Sequence, residues 1–140
     1  MSNLFKLFDV SGSALSAQSV RLNAVASNLA NAQVITQTPE STYRAKHPVF
    51  ASVIERSLNG SNTTTAVRVA GILESRAEAR AEYMPNHPLS NEDGYVFKPN
   101  VNVVEEMANM ISASRSYQNN VEVMTTTKQL LLRTLQLGQQ

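Results

Sequence analysis

Hydrophobic residues at both ends of the chain recur with alternating spacings of three and four. In the first 34 residues, eight of the ten positions in that series are apolar, and the series comprises Met1, Leu4, Phe8, Ser11, Leu15, Gln18, Leu22, Val25, Leu29 and Ala32. A repeat held over several heptads is typical of a helix that packs along a coiled-coil-like stripe. The pattern therefore predicts a long N-terminal helix, with a weak point or kink at Gly12 because glycine is a poor helix former.

The C-terminal segment has the same spacing. Eight of ten positions are again apolar, and the series comprises Val103, Met107, Met110, Ser114, Tyr117, Val121, Met124, Lys128, Leu131 and Leu135. Asn102 is positioned to cap the start of this helix, Glu105 and Glu106 place negative charge in its first turn, and Gly138 is a natural stop. Ser114 and Lys128 are either imperfections of the stripe or residues that fix its register, and both readings are equally open.

Two helices with matching stripes predict an antiparallel, coiled-coil-like pair. The rest of the first helix carries small, uncharged side chains, and residues 1–33 contain only three charges, at Lys6, Asp9 and Arg21. Because small uncharged surfaces are buried at low desolvation cost, we expect this helix to be enclosed by further helices. The alternative is a marginal N-terminus that is partly disordered in the isolated chain. A pair of helices buries only one stripe of each helix. We expect neighbouring subunits to cover the apolar surface that remains.

Prolines and charges separate the middle of the chain from its ends. All five prolines lie between residues 39 and 99, and residues 34–100 carry fourteen of the twenty-three charged residues. Residues 49–54 and 66–73 read as strands on either side of a polar loop at 57–65. Residues 75–82 read as a short helix or an edge strand, and residues 83–99 as an ordered loop or a hairpin around Gly94. The predicted fold is mainly α with a small β-rich middle, in three parts: 1–34, 35–99 and 100–140.

Composition removes several classes of function. The formal net charge is +1, so the chain lacks the excess of positive charge that binding to nucleic acid usually requires. Cysteine is absent, which removes disulfides and thiolate sites. No apolar run is long enough for a membrane span, and Lys6 and Asp9 interrupt the N-terminal apolar residues, so neither a spanning helix nor a cleavable signal peptide is expected.

The sequence contains no recognisable pattern of catalytic or metal-binding residues. His47 and His87 each precede a proline, and neither has neighbours at ligand spacing. Adjacent residues on a helix point in different directions, so Glu105 and Glu106 are poorly placed as paired acid and base, and capping accounts for both. No phosphate-binding loop or nucleophile motif occurs. We therefore expect no enzyme activity, no cofactor and no metal.

Two motifs resemble a known family, the axial proteins of the bacterial flagellum. The first runs through residues 14–32, and the second through residues 99–120; residues 43–50, 86–89 and 94–96 narrow the likeness to basal-body rod proteins, closest to the C-type proximal rod proteins. The motif positions singled out are Ser16, Gln18, Asn23, Asn28, Asn31, Asn100, Ser112, Arg115 and Tyr117.

The resemblance implies a function and a location. A rod subunit would leave the cell unfolded through the flagellar type III export apparatus, without signal cleavage, and polymerise on the periplasmic side to transmit torque and support motility. Its partners would be further copies of itself, other proximal and distal rod subunits, the rotor-ring adaptor and the export apparatus. Residues expected to carry assembly are Leu4, Phe8, Leu15, Leu22, Val25, Leu29, Val103, Met107, Met110, Tyr117, Val121, Met124, Leu131 and Leu135. The alternative is a secreted coiled-coil adaptor or chaperone that does not polymerise.

Overall fold

The chain begins and ends with a long helix, and two antiparallel β-hairpins lie between the helices in the sequence. A computed structural model describes residues 2–56 and 63–138, with side chains described from residues 5 to 54 and from 65 to 138. The elements are α1 (Ser2–Asn31), β1 (Lys46–Arg56), β2 (Thr63–Glu74), β3 (Arg80–Tyr83), β4 (Tyr95–Lys98) and α2 (Val103–Leu137). The predicted class, mainly α with a small β middle, is confirmed.

Helix α1 runs without a break through the predicted weak point. Gly12 lies inside it, and the Ser13 hydroxyl donates to the Val10 carbonyl at 2.8 Å, a bond local to the helix. Ser11 is buried and Ala17, Ala24 and Val25 follow it on the covered side. The absence of proline leaves every backbone N–H of the helix interior free to bond.

Gly12→Ala should stabilise the chain by about 1 kcal/mol, because alanine has the higher helix propensity. A β-carbon added at Gly12 meets nothing within 4 Å, so no packing cost opposes the gain. Thermal unfolding followed by circular dichroism would measure the change. A lower midpoint for Gly12→Ala than for the parent chain would show that the helix needs the glycine.

Helix α2 begins as predicted at Asn102. The Asn102 side-chain oxygen accepts from the backbone N–H groups of Val104 and Glu105, at 3.2 and 3.4 Å. Gly138 ends the helix in a right-handed conformation (φ −81°), with its N–H directed to carbonyls of the last turn. Both predicted ends are confirmed, although the glycine is not used for a left-handed turn.

Strands β1 and β2 form a long antiparallel hairpin. Pairing extends from Lys46 with Glu74 to Arg56 with Thr63, and an irregularity after Val49 leaves Ala70 as an extra residue in β2. Both predicted strands are confirmed and are longer than predicted. The predicted polar loop was wrong at its end, because residues 63–65 belong to β2; residues 57–62 lie outside the described residues.

Strands β3 and β4 form a second, shorter hairpin. Tyr83 pairs with Tyr95 across it, with ring centroids 5.2 Å apart in an edge-to-face arrangement. Of the two readings of residues 75–82, the structure supports a strand, which begins at Arg80. On its other edge β4 pairs through Phe97 with Thr36, which ties the segment after α1 to this sheet.

The apolar core is small. Val96 of β4 is fully buried, and Ala32, Ala45 and Val101 form a cluster where α1 ends and α2 begins. The long hairpin contacts α1, yet Ile54, Ile72 and Leu73 remain more than half exposed. A single chain therefore leaves much of its apolar surface uncovered.

Candidate assembly surface

The helices α1 and α2 pack against each other in antiparallel orientation. Arg21 donates to the side-chain oxygen of Asn109 at 3.0 Å, and further toward the end of α1 the Asn28 amide donates to the Glu106 carboxylate at 3.1 Å. As α1 advances along the pair, its partners in α2 move back toward the start of that helix. The predicted antiparallel arrangement is confirmed.

Small and polar residues of α2 are buried, whereas its large apolar residues are not. Glu106, Ala113 and Thr127 are each at most 5% exposed, and they recur every seven residues or at a multiple of seven. The Thr127 hydroxyl donates to the Val123 carbonyl at 2.7 Å, so this polar group is satisfied within the helix. Ala113 and Thr127 are short, whereas Glu106 reaches Asn28 of α1 through its carboxylate.

The predicted α1 residues lie on the covered side of the helix. Val25 is buried, and the half-buried ones are Phe8, Leu15, Leu22 and Leu29. Leu4 belongs to α1, but its side chain lies outside the described part of the chain. The pattern thus found the correct side of α1.

The predicted α2 residues divide into two groups. The first group is half-buried and comprises Val103, Met110, Met124 and Leu131. The second group is exposed and comprises Met107 (53%), Tyr117 (38%), Val121 (41%) and Leu135 (47%). Pairing of the two helices within one chain leaves this second group exposed, and its part in assembly stays a prediction. At three positions of the predicted series the structure buries the preceding residue instead, namely Glu106, Ala113 and Thr127 in place of Met107, Ser114 and Lys128.

An uncovered apolar stripe remains on α2, here called the outer stripe. Its members are between 41% and 76% exposed: Val104, Met107, Ile111, Val121, Leu132 and Leu135. They lie on a series with alternating spacings of three and four, whose four remaining positions are the polar residues Ser114, Gln118, Thr125 and Lys128. Soluble single chains rarely expose long apolar patches unless these are interaction sites. The stripe is therefore the best candidate for contacts between subunits.

Asn28 is the most connected of the predicted motif residues. Its side chain is fully buried and contacts Lys46, Tyr43 and Glu106 through hydrogen bonds. The Tyr43 hydroxyl also lies 3.0 Å from the hydroxyl of Ser27. Glu106 lies in the first turn of α2, as predicted, and its carboxylate is also buried against Asn28, a contact that the sequence did not indicate. Burial of Asn28 had one signal in the sequence. Asn28 lies four residues after Ala24, on the same face of α1, next to the predicted apolar stripe.

The other motif residues have varied surroundings. The Asn31 amide donates to the Ser27 carbonyl at 2.8 Å, which is a bond within α1. Gln18 is half-buried, and its side-chain oxygen has no hydrogen-bond partner among the described residues. The exposed motif residues are Ser16, Asn23, Asn100, Ser112, Arg115 and Tyr117. The structure does not bring these six together into one site.

The clefts of the described residues are lined by polar and charged side chains, and the lining of one of them includes His47, Ser75 and Glu105. Lys98 pairs with Glu82 at 2.6 Å beside an open cleft between β3, β4 and the start of α2. His87 accepts through Nδ1 from the Leu89 N–H at 3.1 Å, and His47 is exposed on β1. Within residues 2–56 and 63–138, no three acidic or histidine side chains are grouped as metal ligands would be.

Neither α1 nor α2 is long and apolar enough to cross a membrane, as judged over the part of the chain that the structure describes.

Comparison with known proteins points to one family. Residues 8–34 match the family model described as "Flagella basal body rod protein", and residues 92–137 match "Flagellar basal body rod FlgEFG protein C-terminal". The chain is 49% identical over 136 residues to the flagellar basal-body rod protein FlgC of Salmonella typhimurium, covering 97% of this chain and 98% of the relative. Its identity to FlgC of Yersinia enterocolitica is 51% over 137 residues, covering 98% and 99%. FlgC of Bacillus subtilis is 35% identical over 146 residues, covering 96% and 97%.

Proposed function

The chain belongs to the FlgC family of flagellar basal-body rod proteins, and we propose from this premise that it is a structural subunit of the proximal rod. Its family is one of structural proteins and not of enzymes, and it associates with other components of the flagellar basal body. The observation that supports polymerisation is the outer stripe, because an isolated chain leaves these six apolar side chains in water.

The outer stripe has the dimensions of a helix-packing surface. Leu135 lies 31 positions after Val104 in α2, which is roughly 46 Å at 1.5 Å per residue. A strip of that length and about one side chain wide is roughly 400 Å², which is half of what one partner contributes to a standard interface. One such contact is therefore too small for a stable pair in solution, and repeated contacts with several neighbours would be needed.

The helices and the middle of the chain have different parts in this proposal. Residues 1–34 and 100–140 form the inner tube, and residues 35–99 form an outer layer. The exposed apolar residues of the β1–β2 hairpin support the second assignment, since Phe50, Ile54 and Ile72 are also uncovered. The partners are other copies of the chain, proximal and distal rod subunits, and the rotor-ring adaptor.

Assembly outside the cytoplasm follows from the same proposal. The chain passes the flagellar export apparatus without cleavage of a signal peptide and polymerises on the periplasmic side. The rod then transmits torque from the rotor to the hook. The unbroken helix α1, with few charges, suits an element that is enclosed by neighbours on several sides.

Deletion of the chain's coding sequence should stop assembly before the hook and abolish swimming. A rod that lacks one subunit type has no surface on which later subunits polymerise. Swimming assays and electron microscopy of purified basal bodies measure this, with a plasmid copy as the restoring control. Hooks on the deletion strain would contradict the proposal.

A further inference from the structure

Asn28 uses the full hydrogen-bonding capacity of its side-chain amide in a fully buried position. Its Nδ2 group donates to the Lys46 carbonyl at 3.0 Å and to the Glu106 carboxylate at 3.1 Å. Its Oδ1 atom accepts from the Lys46 N–H at 2.8 Å and from the Tyr43 hydroxyl at 2.9 Å. An asparagine amide has two N–H groups and two lone pairs, so every one is satisfied.

These bonds join three parts of the chain at one point. Asn28 lies on α1, Tyr43 and Lys46 lie in the segment that enters β1, and Glu106 lies in the first turns of α2. We call the side chains of Asn28, Tyr43 and Glu106, with the backbone of Lys46, the clasp. The complete set of contacts exists only when the three parts are in place together.

Asn28 acts on β1 as a neighbouring strand would. It binds both the N–H and the carbonyl of Lys46, the first residue of that strand. In an antiparallel pair, the N–H and carbonyl of one residue point to the same side. The Asn28 amide therefore holds the edge of β1 that faces away from β2 and fixes where the hairpin starts.

A second contact between the hairpin and α1 lies much further along the helix. The Ser13 hydroxyl accepts from the Val67 N–H of β2 at 3.2 Å. Ser13 and Asn28 are 15 residues apart, which is roughly 22 Å along α1. The clasp at the root of the hairpin and this contact define the line along which the hairpin lies.

We propose that Asn28 is a positioning residue that couples docking of the β1–β2 hairpin on α1 to the pairing of α1 with α2. Glu106 takes one N–H of the amide and thereby orients the other toward the Lys46 carbonyl. Helix pairing thus completes the site that holds the hairpin root. The hairpin would be docked in the same place in every subunit whose helices are paired, whatever its neighbours are.

Two separate cross-links test this proposal in the full-length chain. The chain has no cysteine, so a cysteine pair introduced at Ser13 and Val67 reports hairpin docking, and a pair introduced at Arg21 and Asn109 reports helix pairing. A short bis-maleimide is added to each, with and without Asn28→Ala. We expect Asn28→Ala to leave the helix cross-link intact and to shift the ratio of docked to undocked hairpin by roughly five- to thirtyfold.

Asn31→Ala is the matched control. Asn31 is the next asparagine of the same helix, and among the described residues its amide bonds only within α1, so both cross-links should form as in the parent chain. Tyr43→Phe removes one clasp bond and keeps the ring, so its effect on the hairpin cross-link should be smaller than that of Asn28→Ala.

Three results would overturn the proposal. The first is a hairpin cross-link that survives Asn28→Ala unchanged. The second is the loss of both cross-links together in Asn28→Ala and in Tyr43→Phe, because the clasp would then contribute only to overall stability. The third is a parent chain that forms neither cross-link. None of these results depends on whether the chain enters a rod.

Discussion

Val121→Asp should leave the isolated chain folded and abolish its incorporation into the rod. Val121 is 41% exposed, so an aspartate there keeps contact with water and changes the stability of the chain by no more than about 0.5 kcal/mol. If a neighbouring subunit covers the outer stripe, the same carboxylate is buried without a partner, which is strongly unfavourable. Swimming should be lost, and the chain should be missing from purified basal bodies.

Asn119→Asp is the matched control for Val121→Asp. The two positions are two residues apart, so they point about 200° away from each other around α2. Asn119 is exposed and polar, and it lies off the outer stripe, so the same charge there should preserve swimming. Equal loss of swimming in both variants would show that the interface is not confined to the stripe. Normal assembly of the Val121→Asp chain would remove the stripe from the interface.

Leu22→Asp differs from Val121→Asp in its cause. Leu22 is half-buried on the covered side of α1, so a charge there destabilises the chain before any assembly step. Circular dichroism of the two purified variants separates these causes. Heptad spacing alone treats Leu22 and Val121 as equivalent positions.

The helices and their orientation were predictable because their signals are local. Proline-free ends, the Asn102 cap and the Gly138 stop act over a few residues of sequence, and the structure uses each of them. The longer extent of β1 and β2 was not predictable to the same degree. Their ends are polar residues such as Lys46 and Glu74, which pair because the chain brings them together and not because they favour strands.

The inward face of α2 could not be read from hydrophobicity. The pattern places Met107 and Ser114 inside, whereas the structure buries Glu106 and Ala113, each one residue earlier. A periodicity argument assumes that the largest apolar stripe meets the nearest helix. In this chain that stripe stays exposed, and the residues that α2 buries are Glu106, Ala113 and Thr127.

The clasp was missed for a related reason. Asn28 was recognised only as part of a motif, because nothing in the sequence near it indicates that Tyr43 and Glu106 will be its partners. Those partners are 15 and 78 residues away. Burial of a polar side chain depends on partners that tertiary structure supplies, so its role emerges only with the fold.

Gly94→Val should destabilise the β3–β4 hairpin by roughly 2–4 kcal/mol. Gly94 has a φ of +80°, which β-branched residues strongly disfavour. A β-carbon at this position would also lie 2.9 Å from Cε2 of the Tyr83 ring and 3.3 Å from Cβ of Pro85. Backbone strain and steric overlap therefore act in the same direction. Urea unfolding followed by tyrosine fluorescence suits the measurement, since Tyr83 and Tyr95 pack together beside the glycine.

Gly71→Val is the same substitution at a glycine that should tolerate it. A β-carbon there meets nothing within 4 Å, and Gly71 lies in a strand, where β-branched residues are favoured. We expect an effect on the free energy of unfolding within about 0.5 kcal/mol. Equal destabilisation by the two substitutions would mean that valine is unfavourable in both hairpins for a reason other than the conformation at Gly94. A large difference would identify the turn at Gly94 as the feature that fixes the position of β4. Because Phe97 of β4 pairs with Thr36, the same turn would then also fix the path of the chain after α1.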